Sequence, residues 1–178
     1  HPRPSANDNA SGVAASMEAV RVLRDLISRG ELPPLKRGIR MIFMPEFTGT
    51  FPYLHDLGEG IRRIKAGINL DMVGNGTGFF LQGGKSVPEY LEQFEKANNA
   101  LIHRPLLSSE MNIGYGRPRT DSAVLQMAGY KTMNIWTTGT VKPVYYHQPL
   151  DNVDALTPEI MEDAAKLLYL GILGIANH

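Results

Sequence analysis

This 178-residue sequence lacks cysteine, net charge and long apolar runs. No cysteine is present, which excludes disulfide bonds and zinc sites built from thiolates. Lys and Arg together number 18, as do Asp and Glu. The chain therefore lacks the excess of positive charge that would indicate a nucleic-acid partner. No apolar run approaches the ~20 residues that a membrane-spanning helix needs. The sequence also lacks a Gly-x-Ser-x-Gly motif, which argues against a serine hydrolase.

The remaining composition is that of an ordinary globular domain, with 43% hydrophobic and 20% charged residues. At this length we expect one domain, residues 1–178, with a proper hydrophobic core. The chain begins at His1 instead of Met, and His1 is itself a candidate ligand. We therefore expect a piece of a longer protein that lacks its N-terminal strands. The compartment and the oligomeric state stay open.

Apolar periodicity predicts the helices. A helix over residues 11–29 places Val13, Met17, Val20, Leu23 and Ile27 on one face, and Gly30 ends it. Further helices are predicted over residues 87–102, over residues 121–128, and from Pro158 to about residue 176.

Short apolar runs predict four strands, over residues 39–44, 65–73, 79–82 and 131–137. The first is almost wholly apolar, as in a strand covered on both faces, and the third is edge-like. Residues 103–118 and 139–156 are predicted to be long loops. Strands that alternate with helices predict an α/β fold, a three-layer α/β/α sandwich with a mostly parallel, mixed central sheet.

Acidic and histidine side chains fall at the ends of these elements. Asp8 precedes the first helix, Glu46 follows the first strand, Asp71 ends the second strand and His147 lies in the last long loop. Sites in open α/β sheets form beyond the carboxyl ends of the strands. Together with His1, these residues form a nitrogen and oxygen ligand set that suits zinc.

Each of these residues also has a structural interpretation. Asp8 is well placed to cap the helix that follows it. His147 lies beside two tyrosines and can be a loop histidine packed on aromatic rings. Asp71 can be a buried, hydrogen-bonded carboxylate, although such residues are uncommon in structural roles.

Four stretches, in this order, resemble motifs of the dizinc aminopeptidase family. They are residues 6–12 (ANDNASG), residues 70–74 (LDMVG), residues 120–122 (TDS) ahead of a strand, and residues 146–151 (YHQPLD). The family includes bacterial leucine aminopeptidases and relatives that resemble glutaminyl cyclase and the transferrin receptor. The resemblance spans essentially the whole chain, and it implies a zinc-exopeptidase-like fold and a peptide substrate.

The resemblance implies metal roles for four residues. Asp8 would bridge two zinc ions and be followed by a cis peptide bond. Asp71 and His147 would complete the coordination of one ion, and His1 would complete that of the other. In the family's scheme the ions activate a shared water molecule and polarise the substrate carbonyl.

The resemblance also implies the groups that move protons and stabilise charge. Glu46 would be the general base, because it is the carboxylate nearest the site in the sequence. Tyr115 would donate a hydrogen bond to the tetrahedral oxyanion. Asp151 would orient the loop that carries His147.

Two departures from the family pattern leave other functions open. The family usually has two adjacent Glu residues after the corresponding strand, whereas here Glu46 is followed by Phe47. The loop after His1, Pro2-Arg3-Pro4, is also shorter than usual. The leading hypothesis is a zinc-dependent aminopeptidase with one or two zinc ions. The alternatives are a non-catalytic interaction domain and a single-zinc amidohydrolase or cyclase.

Overall fold

The computed structural model describes residues 4–111 and 120–177, with only the backbone described at residue 61. Five α-helices and four strands lie in these parts of the chain. The helices are α1 (Ser11–Ser28), α2 (Thr50–Leu57), α3 (Pro88–Ala97), α4 (Asp121–Met127) and α5 (Pro158–Asn177). The strands are β1 (Gly67–Leu70), β2 (Gly78–Gln82), β3 (Leu106–Ser109) and β4 (Thr132–Thr138).

The four strands form one mixed sheet in the order β1-β4-β2-β3. β1 pairs in parallel with β4, and β2 pairs in parallel with β3. Only the central pairing, β2 with β4, is antiparallel. The mostly parallel, mixed sheet predicted from the sequence is therefore confirmed.

Helices cover both faces of this sheet. Alternate strand residues such as Leu81, Met133 and Ile135 join the hydrophobic core beneath α1, α3 and α5. On the opposite face, the Thr132 hydroxyl donates to the Ser122 carbonyl on α4. This arrangement confirms the predicted three-layer α/β/α sandwich, because each face of the sheet packs against its own helices.

Helix α1 is confirmed, and the prediction of its buried face is partly correct. Leu23 is buried as predicted, whereas Val13 and Met17 are exposed and Ala15 and Ala19 are buried instead. The helix packs along α5, and small side chains let two helix backbones approach closely. Ala15 and Ala19 therefore join the hydrophobic core that also contains residues of α5.

The predicted buried strand over residues 39–44 is wrong. The segment has no regular secondary structure, and Phe43 is 52% exposed. A strand needs a neighbour for its backbone N–H and C=O groups, and no strand in the described parts of the chain pairs with this segment. Its apolar composition alone indicated burial.

Two further predictions about the strands are wrong. β2 is an interior strand between β4 and β3, not an edge strand. β3 lies within residues 103–118, which were predicted to be a loop. Four residues with no clear alternation give little periodic signal, and pairing with β2 makes this segment a strand.

No helix in residues 4–111 or 120–177 is long and apolar enough to cross a membrane.

Candidate metal and catalytic site

Asp8 lies in a tight turn over Ala6–Ala10, immediately before α1. Its own backbone is not helical, with φ −113° and ψ 88°, and the peptide bond between Asp8 and Asn9 is cis. The cap position of α1 belongs to Ala10, and the side chain that accepts from an amide in the first turn is that of Asn9, whose Oδ1 lies 3.2 Å from the Gly12 nitrogen. The capping interpretation of Asp8 is therefore wrong.

The polar residues around Asp8 attach its loop to the end of β1. Asn9 donates from Nδ2 to the Leu70 carbonyl at 2.8 Å and accepts from the Met72 amide at 3.1 Å. Asn7 accepts from the Gly74 amide at 2.9 Å. These bonds hold the turn and the strand end in register, and Asp71 follows β1 directly at this point.

Asp151 attaches the same turn to the loop that carries His147. Its carboxylate accepts from the backbone amides of Asn7 and Asp8, at 2.8 Å and 2.9 Å. Its carbonyl accepts from the Ala6 amide at 2.9 Å. The side chain is buried, so water competes little for these bonds. The orienting role expected of Asp151 thus extends to the backbone of Asp8.

His147 and Asp8 lie side by side. The Nε2 atom of His147 is 3.3 Å from Oδ2 of Asp8, although 139 residues of sequence separate them. The imidazole is about half exposed, while the Asp8 side chain is only 10% exposed. The ring of Tyr146 stacks on the His147 ring, with centroids 3.7 Å apart. His147 therefore both packs on an aromatic ring, as its structural interpretation expects, and contacts Asp8.

Two further carboxylates interact electrostatically with Asp8. Burial raises the pKa of Asp71 to about 6, and the charges of Asp8 and Asp121 add to the effect. Burial, followed by the charges of Asp71, Asp121 and Asp8, raises the pKa of Glu46 to about 7. Burial also raises the pKa of Asp8, although His147 opposes that shift. Asp8, Asp71 and Glu46, with Asp121, are called the acidic cluster below, because the charges of Asp8 and Asp121 act on both Asp71 and Glu46.

The donor atoms fit the zinc ion that the sequence resemblance implies. Imidazole nitrogen and carboxylate oxygen are both zinc ligands at about 2 Å, and two ligands of a tetrahedral ion then lie about 3.3 Å apart. The His147–Asp8 separation of 3.3 Å matches this value. Repulsion among clustered carboxylates is the kind that a divalent cation relieves. Within the described residues, no group of three potential ligands converges on one point.

Two predicted site residues, His1 and Tyr115, lie outside the described residues. The structure instead draws attention to Tyr146, which the sequence analysis did not select. Burial, then the charges of Asp8, Glu46 and Asp71, raise the pKa of its phenol, which therefore lies near the acidic cluster. Its position beside His147 was the available signal.

Comparison with known proteins gives one family match. Residues 1–170 match the sequence profile of Peptidase family M28. Aminopeptidase YwaD of Bacillus subtilis (strain 168) is 27% identical over 180 residues. That alignment covers 95% of this chain and 37% of YwaD, so the chain spans well under half the length of this relative.

Solved structures share the fold. A zinc aminopeptidase from Bacillus subtilis superposes with a TM-score of 0.76 at 23% identity, covering 95% of this chain and 42% of that one. The LapA aminopeptidase of Legionella pneumophila gives 0.78 at 23% identity, with 98% and 48% covered. A glutaminyl cyclase from an Acidobacteriales bacterium gives 0.66 at 16% identity, with 97% and 62% covered.

Proposed function

Because this chain belongs to Peptidase family M28, we propose that residues 1–178 are the catalytic domain of a zinc-dependent aminopeptidase. The reaction is hydrolysis of the N-terminal peptide bond of a peptide. The observation that carries the proposal is the 3.3 Å approach of His147 Nε2 to Asp8 Oδ2, together with the effect of the Asp8 charge on Asp71 and Glu46.

Asp8, Asp71 and His147 would hold the metal, and His1 is the remaining expected ligand. Zinc, when bound, acts as a Lewis acid on a carbonyl group and lowers the pKa of water toward ~7. The chain's own part is to keep these ligands fixed. Asp151 does so for the backbone of Asp8 through two amide hydrogen bonds.

Glu46 would serve as the general base. A base works best when its pKa lies near the working pH, and the pKa of Glu46 is raised to about 7. Its carboxylate takes a proton from the attacking water and then gives it to the departing amine. Glu46 remains partly exposed, so water and substrate reach it.

Tyr146 would contact the substrate carbonyl oxygen. A tyrosine phenol is protonated, and therefore a hydrogen-bond donor, at neutral pH, and the surroundings of Tyr146 raise its pKa further. The side chain is also exposed, so a substrate can approach it. Tyr115 stays the donor expected from the sequence, and replacing each tyrosine separately distinguishes the two.

The acidic cluster favours a substrate with a free amino terminus. The charges of Asp8, Asp71 and Asp121 raise the pKa of Glu46, and those of Asp8 and Asp121 raise the pKa of Asp71, which reflects a local negative potential. Such a potential attracts a protonated α-amino group and disfavours a carboxylate terminus.

The test compares a peptide that has a free amino terminus with its N-acetylated form. The zinc-loaded chain should release the first residue of the free peptide and leave the acetylated peptide intact. Zinc bound per chain is counted in the same sample. Hydrolysis of both peptides contradicts aminopeptidase specificity. No bound zinc supports the interaction domain, and cyclisation of an N-terminal Gln peptide by a one-zinc protein supports the cyclase alternative.

A further inference from the structure

The turn that carries Glu46 has few attachments of its own. It joins the largely exposed segment of residues 39–44 to α2, and Phe47 has a left-handed φ of 56°. The turn is closed by short-range bonds, from the Gly49 amide to the Pro45 carbonyl at 2.8 Å and from the Thr48 amide to the Glu46 carbonyl at 2.6 Å. These bonds set the shape of the turn, but they do not fix its position on the protein.

One side chain from a distant part of the sequence attaches this turn to the fold. The Oδ1 atom of Asp121 accepts from the Phe47 amide at 3.0 Å and also from the Thr50 hydroxyl. Thr50 is fully buried and begins α2, while Asp121 begins α4. α4 is itself packed in the protein, because its residues Ala123 and Val124 are buried.

We propose that Asp121 is a positioning residue for Glu46. Its carboxylate binds the amide that follows Glu46 and the hydroxyl at the start of the next helix, so the base is fixed from its C-terminal side. This inference rests on the proposed function of Glu46. A general base must stay within about 2.6–3.2 Å of the proton that it takes, and a displacement of about 1 Å can cost 10²-fold in rate.

The role differs from that of a metal ligand and from that of a purely structural hydrogen bond. The Oδ1 atom of Asp121 is already bonded to two donors of the turn. A positioning role predicts a fall in kcat with KM and zinc content kept. A structural role predicts a loss of stability without a selective change in kcat.

The experiment uses Asp121→Ala, Thr50→Val and Thr50→Ser. A matched control is Thr132→Val, which also removes a buried hydroxyl that bonds to α4. Amide hydrogen exchange at Phe47 is measured on the metal-free chain, together with the unfolding midpoint. Bound zinc, kcat and KM are measured on the loaded chain with an aminoacyl-amide substrate.

The proposal expects Phe47 exchange to accelerate about tenfold or more in Asp121→Ala, because that variant removes a charge-assisted hydrogen bond. It expects kcat to fall about 10–100-fold in Asp121→Ala, and less in Thr50→Val, with KM within about threefold. Thr50→Ser should recover most of the loss, and Thr132→Val should lower the unfolding midpoint without a comparable fall in kcat.

Three results would overturn the proposal. They are unchanged Phe47 exchange in Asp121→Ala, a fall in kcat no larger than that of Thr132→Val, and loss of one zinc equivalent, which would make Asp121 a ligand. If the unaltered chain hydrolyses no substrate, the proposed function fails. The exchange measurement still decides whether Asp121 holds the turn.

Discussion

Burial of carboxylates is the main electrostatic feature at the scale of single residues, and their like charges add to its effect. Asp8, Glu46 and Asp71 each have a raised pKa, and desolvation is the largest cause in every case. A folded metal-free chain must therefore tolerate carboxylates that are costly to ionise. Carboxylates tend to be retained in such places when their charge serves a bound cation or a proton transfer.

The first prediction concerns the stability of the metal-free chain. Asp71 binds its proton more tightly when folded, since its pKa rises from 3.8 to about 6. The folded state thus holds more protons than the unfolded state between about pH 4 and pH 6, and stability falls as the pH rises through that window. Asp71→Asn removes this dependence. The free energy of unfolding is measured against urea, with a chelator present.

Asp71→Asn should match the unaltered chain below about pH 4 and exceed it by about 2 kcal/mol above pH 7. With zinc bound, the order should reverse, because the variant loses a proposed ligand. A metal-free Asp71→Asn chain that is less stable than the unaltered chain at pH 7.5 would show that the charge of Asp71 is compensated within the protein.

The sequence predicts which residues lie at the site better than it predicts the hydrogen bonds that hold them in place. Asp8, Asp71 and His147 follow from an ordered set of local motifs, and the structure brings Asp8 and His147 together. The bonds of Asp121 to Phe47 and Thr50 join residues 74 and 71 positions apart. No local pattern encodes such pairs, because the fold creates them.

At the scale of elements, the start of α1 is fitted tightly against the end of β1. A Cβ atom added at Gly12 would lie 2.5 Å from the Leu70 carbonyl oxygen and 2.5 Å from Oδ1 of Asn9. The first contact is with backbone, which cannot move aside as a flexible side chain can. Gly12 therefore permits the helix and the strand to approach closely enough for the Asp8 loop to form.

The second prediction follows from this contact. Gly12→Ala should destabilise the chain by about 1–3 kcal/mol through overpacking, although alanine is the better helix former. Gly38→Ala is the matched control, because nothing lies within 4 Å of an added Cβ there. Equilibrium unfolding in urea measures both variants. Equal stability of Gly12→Ala and Gly38→Ala would mean that the helix shifts freely at this junction.

Elements with strong periodicity were the predictable ones. Helices α1, α4 and α5 and strand β4 fall close to their predicted bounds, whereas α3 ends at Ala97 and a separate π-helical turn covers the last five residues of its predicted range. The strand prediction for residues 39–44 failed because apolar character favours pairing with a neighbouring strand, but no strand in the described parts of the chain pairs with this segment. β3 was missed because its strand character comes from pairing with β2, which is a long-range property.

At the scale of the whole molecule, the exposed apolar side chains include one consecutive run. Met41, Ile42 and Phe43 are 43%, 40% and 52% exposed. Contiguous exposed apolar residues outside a sheet promote self-association, because they offer both apolar surface and backbone groups that are not paired in a sheet.

The third prediction is that replacing Met41 and Phe43 by serine raises the solubility of the 178-residue chain. Because both side chains are exposed, the free energy of unfolding should change by less than about 0.5 kcal/mol. Leu81→Ser, a fully buried control, should instead destabilise strongly. Sedimentation velocity over a concentration series measures the association. Destabilisation by the double serine variant would show that the segment packs in solution.

Asp8 and His147 are proposed to hold a metal ion while Glu46 acts as the base. The most direct test of these roles measures bound zinc and turnover together in the unaltered chain, in His147→Ala and in Glu46→Gln. We predict that Glu46→Gln keeps its zinc and loses about 10²–10⁴-fold in turnover, whereas His147→Ala loses at least one zinc equivalent. Full zinc content in His147→Ala, or loss of a zinc equivalent in Glu46→Gln, would contradict the assignment.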